Sequence, residues 1–295
     1  MESPRPVPDF DALWDYDDPA GTGAKFRDLL DAADDSLRNT DWHWQLLTQI
    51  ARAQGLQRAF DAAHETLNGV ESQLGDASAA TRIRCLLERG RAFNSSGQPG
   101  RARPLFLEAW ETGRSAGEDG FAVDAAHMLG IVESPGEALE WNRKALELAT
   151  SSNQTSARKW AGSLHNNIGW AHFGNNDYET ALKHFEGALR CRTEEQDESG
   201  VRIARWCIAK TQRLLGRVDE ALAAQRQLDA EWQTVGRPDP YVSEELGECL
   251  LALDRADDAT PYFAKAFAEL SQDAWLADNE PDRIARLKQL GNVSD

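Results

Sequence analysis

The chain has 295 residues, 41% of them hydrophobic, with 32 basic against 49 acidic side chains and a net charge of −17. That length exceeds what one compact core usually serves, so two domains or an elongated array are expected. The acid excess repels phosphate backbones and anionic lipid, no basic run offsets it, and no stretch approaches the roughly 20 apolar residues of a membrane span, which speaks against nucleic-acid and membrane partners.

The opening MESPRPVPDFDALWDYDD carries neither the basic region nor the apolar stretch of a secretory signal, so a cytoplasmic protein is expected. Cys85, Cys191, Cys207 and Cys249 form no Cys-x-x-Cys pair and fit reduced thiols inside helices. Between Pro8 and Pro19, aspartates alternate with Phe10, Trp14 and Tyr16, which reads either as aromatic anchors or as an acidic docking segment. AKFRDLLDAADDSL then places Phe26, Leu29, Leu30 and Ala33 on one helical face. GTGAK, Gly21 to Lys25, lacks the spacing of a phosphate loop and follows no apolar strand, so helix entry is expected.

From residue 83 to 272 one frame recurs: a small residue, an alanine twelve positions on, and another small residue seven further. The first is Gly90, Ala126, Gly169, Ala209 and Gly247; the second is Ala102, Ala138, Ala181, Ala221 and Ala259. The third is Ala109, Ala145, Ala188 and Ala266, with Leu228 departing from the rule, and the middle alanines are spaced by 36, 43, 40 and 38 residues. Apolar residues recur at three and four positions on both sides of each turn, so every unit is predicted to be an antiparallel helical hairpin whose small residues mark the crossing. A weaker unit, His43 to Leu67, puts Leu47 where a small residue is expected. At the far end Pro281 starts a helix presenting Ile284, Leu287 and Leu290 before Gly291.

Gly169, Asp177, Tyr178, Ala181, Phe185 and Ala188 resemble the tetratricopeptide repeat (TPR) family at the places where it expects their kinds. Arg89 stands where that family is apolar, and Asn142 and Gln225 replace its aromatic. The period near 40 and LHNNIG are similar to the kinesin-light-chain-like subgroup, whose helix asparagine meets bound peptide backbone; Asn167 matches it, while Glu88, Asp124, Cys207 and Glu245 stand at its place elsewhere. The resemblance implies an all-α, right-handed α-solenoid with capping helices at both ends. Its expected organisation is an arm and cap over 1–40, about six hairpins over 41–272, and a capping helix and tail over 273–295.

In that family the first helix of each pair lines the concave face. The register therefore assigns Arg91, Asn166, Asn167, Trp170, Trp206, Lys210 and Arg213 to a ligand groove, with Glu244, Glu245 and Glu248 forming an acidic end. The two readings of its centre are solvated cations with tryptophans filling space, and a site for an extended peptide carrying acidic and apolar residues. The acidic arm could then fold into its own groove. No catalytic residue, metal site or cofactor is expected: of His165, His172 and the nearby His184, the first two occupy places where the family packs aromatics, and no nucleophile with its base is discernible. The function expected is a non-catalytic protein- or peptide-binding scaffold or adaptor. A self-associating scaffold, suggested by Trp110, Trp141, Trp160 and Trp232, and an enzyme on a helical solenoid are the alternatives.

Overall fold

The computed structural model describes residues 7–294. Within them every regular element is a helix, with no strand. In chain order the α-helices are α1 (Pro19–Asp31), α2 (Asp41–Leu56), α3 (Phe60–Glu71), α4 (Ala79–Ser95), α5 (Pro99–Ala116), α6 (Asp119–Val132), α7 (Pro135–Ser151) and α8 (Thr155–Arg158). They continue as α9 (Ala161–Gly174), α10 (Tyr178–Glu194), α11 (Glu198–Leu214), α12 (Val218–Val235), α13 (Pro240–Ala252), α14 (Ala256–Leu270), α15 (Ala274–Asn279) and α16 (Pro281–Leu290). Two compact units divide the chain, Met1–Leu164 and His165–Asp295. Each is a stack of helical hairpins of the right-handed TPR-like solenoid class.

The recurring small residues do what their spacing requires. Ala102, Ala181, Ala221 and Ala259 are buried, as are Ala109, Ala145, Ala188, Ala266 and the exceptional Leu228. A Cβ added to Gly90 would lie 2.4 Å from the ring of Phe106; the same addition at Gly169 meets Phe185 at 2.6 Å, and at Gly247 it meets Phe263 at 2.8 Å. In these three hairpins the phenyl ring occupies the space that a side chain on the first helix would take. Where the partner position is Asn142 or Gln225, the first helix carries Ala126 or Ala209 instead, both fully buried.

Hairpin turns repeat as well. The residue five before the middle alanine has a left-handed backbone at Gly97, Asn176, Gly216 and Asp254, with φ of 80°, 59°, 81° and 58°. Arg58 adopts φ 62°, five residues before Ala63. That sets the register of the first hairpin: Ala51, Ala63 and Val70 fill its frame and are buried. The expectation built on Leu47 is thus corrected by four residues: Ala51 is buried at the α2–α3 crossing, while Leu47 is half-buried and borders both that cluster and the one beneath α1.

Gly21 to Lys25 lie within α1, and Gly23 packs close to the Ala53 methyl. Phe26, Leu29 and Leu30 turn toward the Leu46 and Ile50 cluster, while Ala33 falls beyond the helix end at Asp31. Leu287, with Ile284 and Leu290 beside it, packs on the core of the second unit.

Candidate functional site

In the second unit the first helices of successive hairpins lie side by side, and the residues assigned to a groove sit along them. Asn166, Asn167, Trp170, Trp206, Lys210 and Arg213 are all half-buried. The Trp170 and Trp206 rings pack at 6.0 Å, Trp206 donates its indole N–H to the Tyr241 carbonyl at 3.1 Å, and the Cys207 thiol points at the Asn166 amide oxygen. Burial pushes that thiol up to about 12, so it is inert at neutral pH.

Lys210 and Arg213 were expected to be solvated or to await a ligand carboxylate. They are instead paired with Glu245 of α13, whose side chain is 1% exposed. Lys210 Nζ lies 2.5 Å from one carboxylate oxygen, and Arg213 Nε donates to the other at 2.9 Å. Burial opposes the Glu245 charge, but Lys210 and the hydrogen bonds from Arg213 outweigh it and hold the carboxyl below the usual carboxylate range. The expected acidic end is similarly neutralised: Arg283 of α16 pairs with Glu244, and Arg286 with Glu248. A buried carboxylate left alone would carry too large a desolvation cost, which is why each has a cation.

Arg91 belongs to a second network, in the first unit. Its guanidinium binds Asp124 of α6 through both oxygens at 2.5 and 2.6 Å and Glu88 at 2.6 Å, and Arg52 of α2 reaches Glu88 at 3.2 Å. Three successive first helices are thereby joined by alternating charge. Burial works against ionising Asp124, yet Arg91 and Arg52 hold its carboxyl low. His127 packs its ring 5.1 Å from that of Trp160, and burial holds its imidazole below the ordinary value against the pull of Asp124.

The arm lies on this face; residues 1–6 are outside the described residues. Phe10 is buried, with its ring 6.2 Å from Trp42, and the Trp42 indole donates to the Pro8 carbonyl. Beyond this anchor Asp11 pairs with Arg84, Trp14 donates to the Gln49 side-chain oxygen at 3.0 Å, and Trp14 stacks on Tyr16. The Arg52 guanidinium stands 5.6 Å from the Trp14 ring and 5.5 Å from that of Tyr16. Next to the arm is a cavity of about 380 Å³ whose lining includes Arg52, Arg84, Arg91, Glu118, Lys159 and Trp160.

Sequence reasoning missed Arg52, Arg84, Arg283 and Arg286 and did not anticipate that Glu88 and Glu245 are ion-pair acceptors. A signal was present. The partners Arg52 and Glu88 are 36 residues apart, Arg91 and Asp124 are 33, Lys210 and Glu245 are 35, and Arg283 and Glu244 are 39. Opposite charges about one repeat apart on first helices therefore mark contacts between neighbouring hairpins.

His165 and His184 face each other through Nδ1 atoms 3.1 Å apart, and His172 binds Asp177. Among the described residues no group of three or more His, Cys, Asp or Glu side chains is arranged to hold a metal ion, and no helix is long and apolar enough to cross a membrane. Trp110, Trp141, Trp160 and Trp232 pack against the core clusters of their own units.

Residues 165–195 match the tetratricopeptide repeat family. No curated protein sequence matches the chain. Among solved structures it is similar to a signal transduction ATPase with numerous domains that carries a tetratricopeptide repeat sensor, from Pyrococcus horikoshii, at 13% identity and a TM-score of 0.72 over 90% of this chain and 42% of that one. The chain thus spans about two fifths of that ATPase. It is similar to the apo form of RapI at 11% identity and TM-score 0.69, covering 95% and 84% of the two chains. It is also similar to NprR in complex with its cognate peptide NprX at 16% identity and TM-score 0.51, covering 95% and 81%. The chain carries a tetratricopeptide repeat and has the TPR-like repeat fold.

Proposed function

We propose that this TPR-like chain is a non-catalytic scaffold or adaptor that binds a protein or an extended peptide on the first-helix face of its repeats. In this reading residues 41–272 form the binding array, while 1–40 and 273–295 close it. The observation that carries it is the half-buried row Asn166, Asn167, Trp170 and Trp206 ending at Lys210 and Arg213. Side-chain amides at such positions bind an extended backbone, and tryptophans supply apolar area at small entropic cost. NprR, similar in fold, has been solved with a bound peptide. Asn167 and the period near 40 further support a kinesin-light-chain-like mode in which this asparagine meets peptide backbone.

The ligand we infer carries a carboxylate beside an apolar residue. Glu245 satisfies one charge of two, so Lys210 and Arg213 together retain a surplus positive charge beside the tryptophans. Self-association has weaker support, since the tryptophans that suggested it are engaged within their own units.

The test is affinity capture from source lysate on the wild-type chain and on Asn166→Ala, Asn167→Ala, followed by titration of the captured segment against both. The expected result is a partner that the variant loses while its helicity is kept. A partner retained equally by both chains would overturn the assignment of this row.

A further inference from the structure

The arm of the first unit lies on the first-helix face in two distinct ways. Pro8 and Phe10 are an anchor: Phe10 is buried against Trp42, and the Trp42 indole holds the Pro8 carbonyl. The following residues rest on the surface. Asp11 and Leu13 are exposed and Tyr16 is 60% exposed, yet each polar or aromatic group among Asp11, Trp14 and Tyr16 meets a complementary partner. Asp11 faces Arg84, the Trp14 N–H faces Gln49, and the stacked Trp14 and Tyr16 rings face the Arg52 guanidinium.

This face also has capacity that the arm leaves unused. Lys159, exposed on the cavity wall, has no ion pair among the described residues. The Nε–H groups of Arg52 and Arg84 are buried without an acceptor. Phe121 lies beneath the Arg84 guanidinium, 5.0 Å from ring to cation, and Trp160 also lines the cavity. The lining also holds Glu118 and Asp124, of which Asp124 is paired with Arg91; Arg84 and Lys159, beside the Phe121 and Trp160 rings, suit a segment in which carboxylates alternate with aromatic side chains, through charge-assisted hydrogen bonds and cation–π contacts. The cavity of about 380 Å³ is within the range of a site that encloses a few side chains.

We propose that this first-helix face, the seat of the arm and the adjoining cavity together, is a recognition site for a peptide segment pairing a carboxylate with a nearby aromatic ring, and that Asp11–Tyr16 is its resident internal occupant, which an incoming segment displaces. The arm is tethered through Phe10, so it competes at a high effective concentration and lowers the apparent affinity of any outside segment by the fraction of time it is seated. The site lies wholly in the first unit and uses none of the second-unit asparagines, so its failure and the failure of the preceding reading are separable.

The test uses a fluorescently labelled synthetic copy of residues 8–18 as the probe, titrated by anisotropy against the full chain. Compared are wild type, the arm variant Asp11→Ser, Trp14→Ser, Tyr16→Ser, which keeps Phe10 and Pro8, and the arm variant with Arg84→Glu added. The arm variant should bind at least about tenfold more tightly than wild type, and Arg84→Glu should abolish that gain. All comparisons are repeated in an Asn166→Ala, Asn167→Ala background, which removes any probe held by the second-unit row; the gain of the arm variant and its loss on Arg84→Glu should persist there. Equal affinity for wild type and arm variant, no binding to the arm variant, or indifference to Arg84→Glu would each overturn the proposal. Should the triple variant lose helicity, Asp11→Ser, Tyr16→Ser makes the same comparison through two exposed side chains.

Discussion

Gly169 and Phe185 are two halves of one fit: the phenyl ring lies where a Cβ on residue 169 would be, 2.6 Å from the position that Cβ would take. Gly169→Ala should therefore cost about 1–3 kcal/mol through overpacking. Phe185→Leu in the same chain should cost less than the sum of the two single changes, because the smaller side chain vacates the contested space. Denaturant unfolding of the four proteins checks this; strictly additive losses would show that the two residues are not fitted to each other.

The fourth hairpin of the 83–272 frame solves the same crossing less well. Gln225 is fully buried opposite Ala209, and neither polar atom of its amide has a partner among the described residues. Gln225→Leu is expected to stabilise by about 1–3 kcal/mol, the cost of an unsatisfied buried polar group. Thermal unfolding decides it, and a lower midpoint would mean that the amide is satisfied.

Why the repeat was readable and its ion pairs were not follows from where each signal lies. A helix crossing strongly favours small residues, so Ala181 and Ala259 each stand twelve positions after a glycine on the first helix and seven before another alanine. Charges between hairpins are chosen pair by pair. Lys210 could have been a solvated cation on sequence grounds, and only the buried position of Glu245 on the next first helix shows otherwise. The N-terminal register failed for a related reason. Residues 47 and 51 are one helical turn apart and share a face, so periodicity alone does not separate them, whereas the left-handed turn at Arg58 does.

That corrected register makes its own prediction. Ala63 is buried and Ala59 exposed. Ala63→Leu should destabilise by about 1–3 kcal/mol and Ala59→Leu by no more than about 0.5. The reverse order in a denaturation series would restore the frame based on Leu47.

Glu245→Gln should destabilise by roughly 3 kcal/mol, since it removes the one carboxylate shared by Lys210 and Arg213. Lys210→Met should cost less, about 1.5 kcal/mol, because Arg213 keeps its hold on Glu245. If the glutamine variant matches wild type in urea, the two cations are adequately served by water.

Acid should weaken the fold in two stages. Burial holds His165 below its ordinary value, with Arg190 adding to the effect, and burial does the same to His127 against the pull of Asp124. Below about pH 6.5 the unfolded chain takes up protons that the folded histidines refuse, so stability is full above that value and falls as pH drops toward the folded values. Glu245 and Asp124 have carboxyls held low in the fold, so their contribution persists above the unfolded value near 4 and is lost as pH falls further. Unfolding midpoints at about pH 7.5, 6 and 5 should decline, and His165→Phe should flatten part of that decline. A midpoint constant over this range would show that the histidines protonate as readily folded as unfolded.

The charge pairing in the second unit gives the array an address system. Arg283 and Arg286 of α16 fit the glutamates of α13, and Lys210 and Arg213 of α11 fit the same helix from its other neighbour. Excising the α13–α14 hairpin would bring the terminal helix opposite α11, arginine against lysine and arginine. Each hairpin would still be intact, but like charges would meet at the new joint. A terminal helix of this kind closes only the repeat it was made for, so the chain specifies the order of its hairpins as well as their shape.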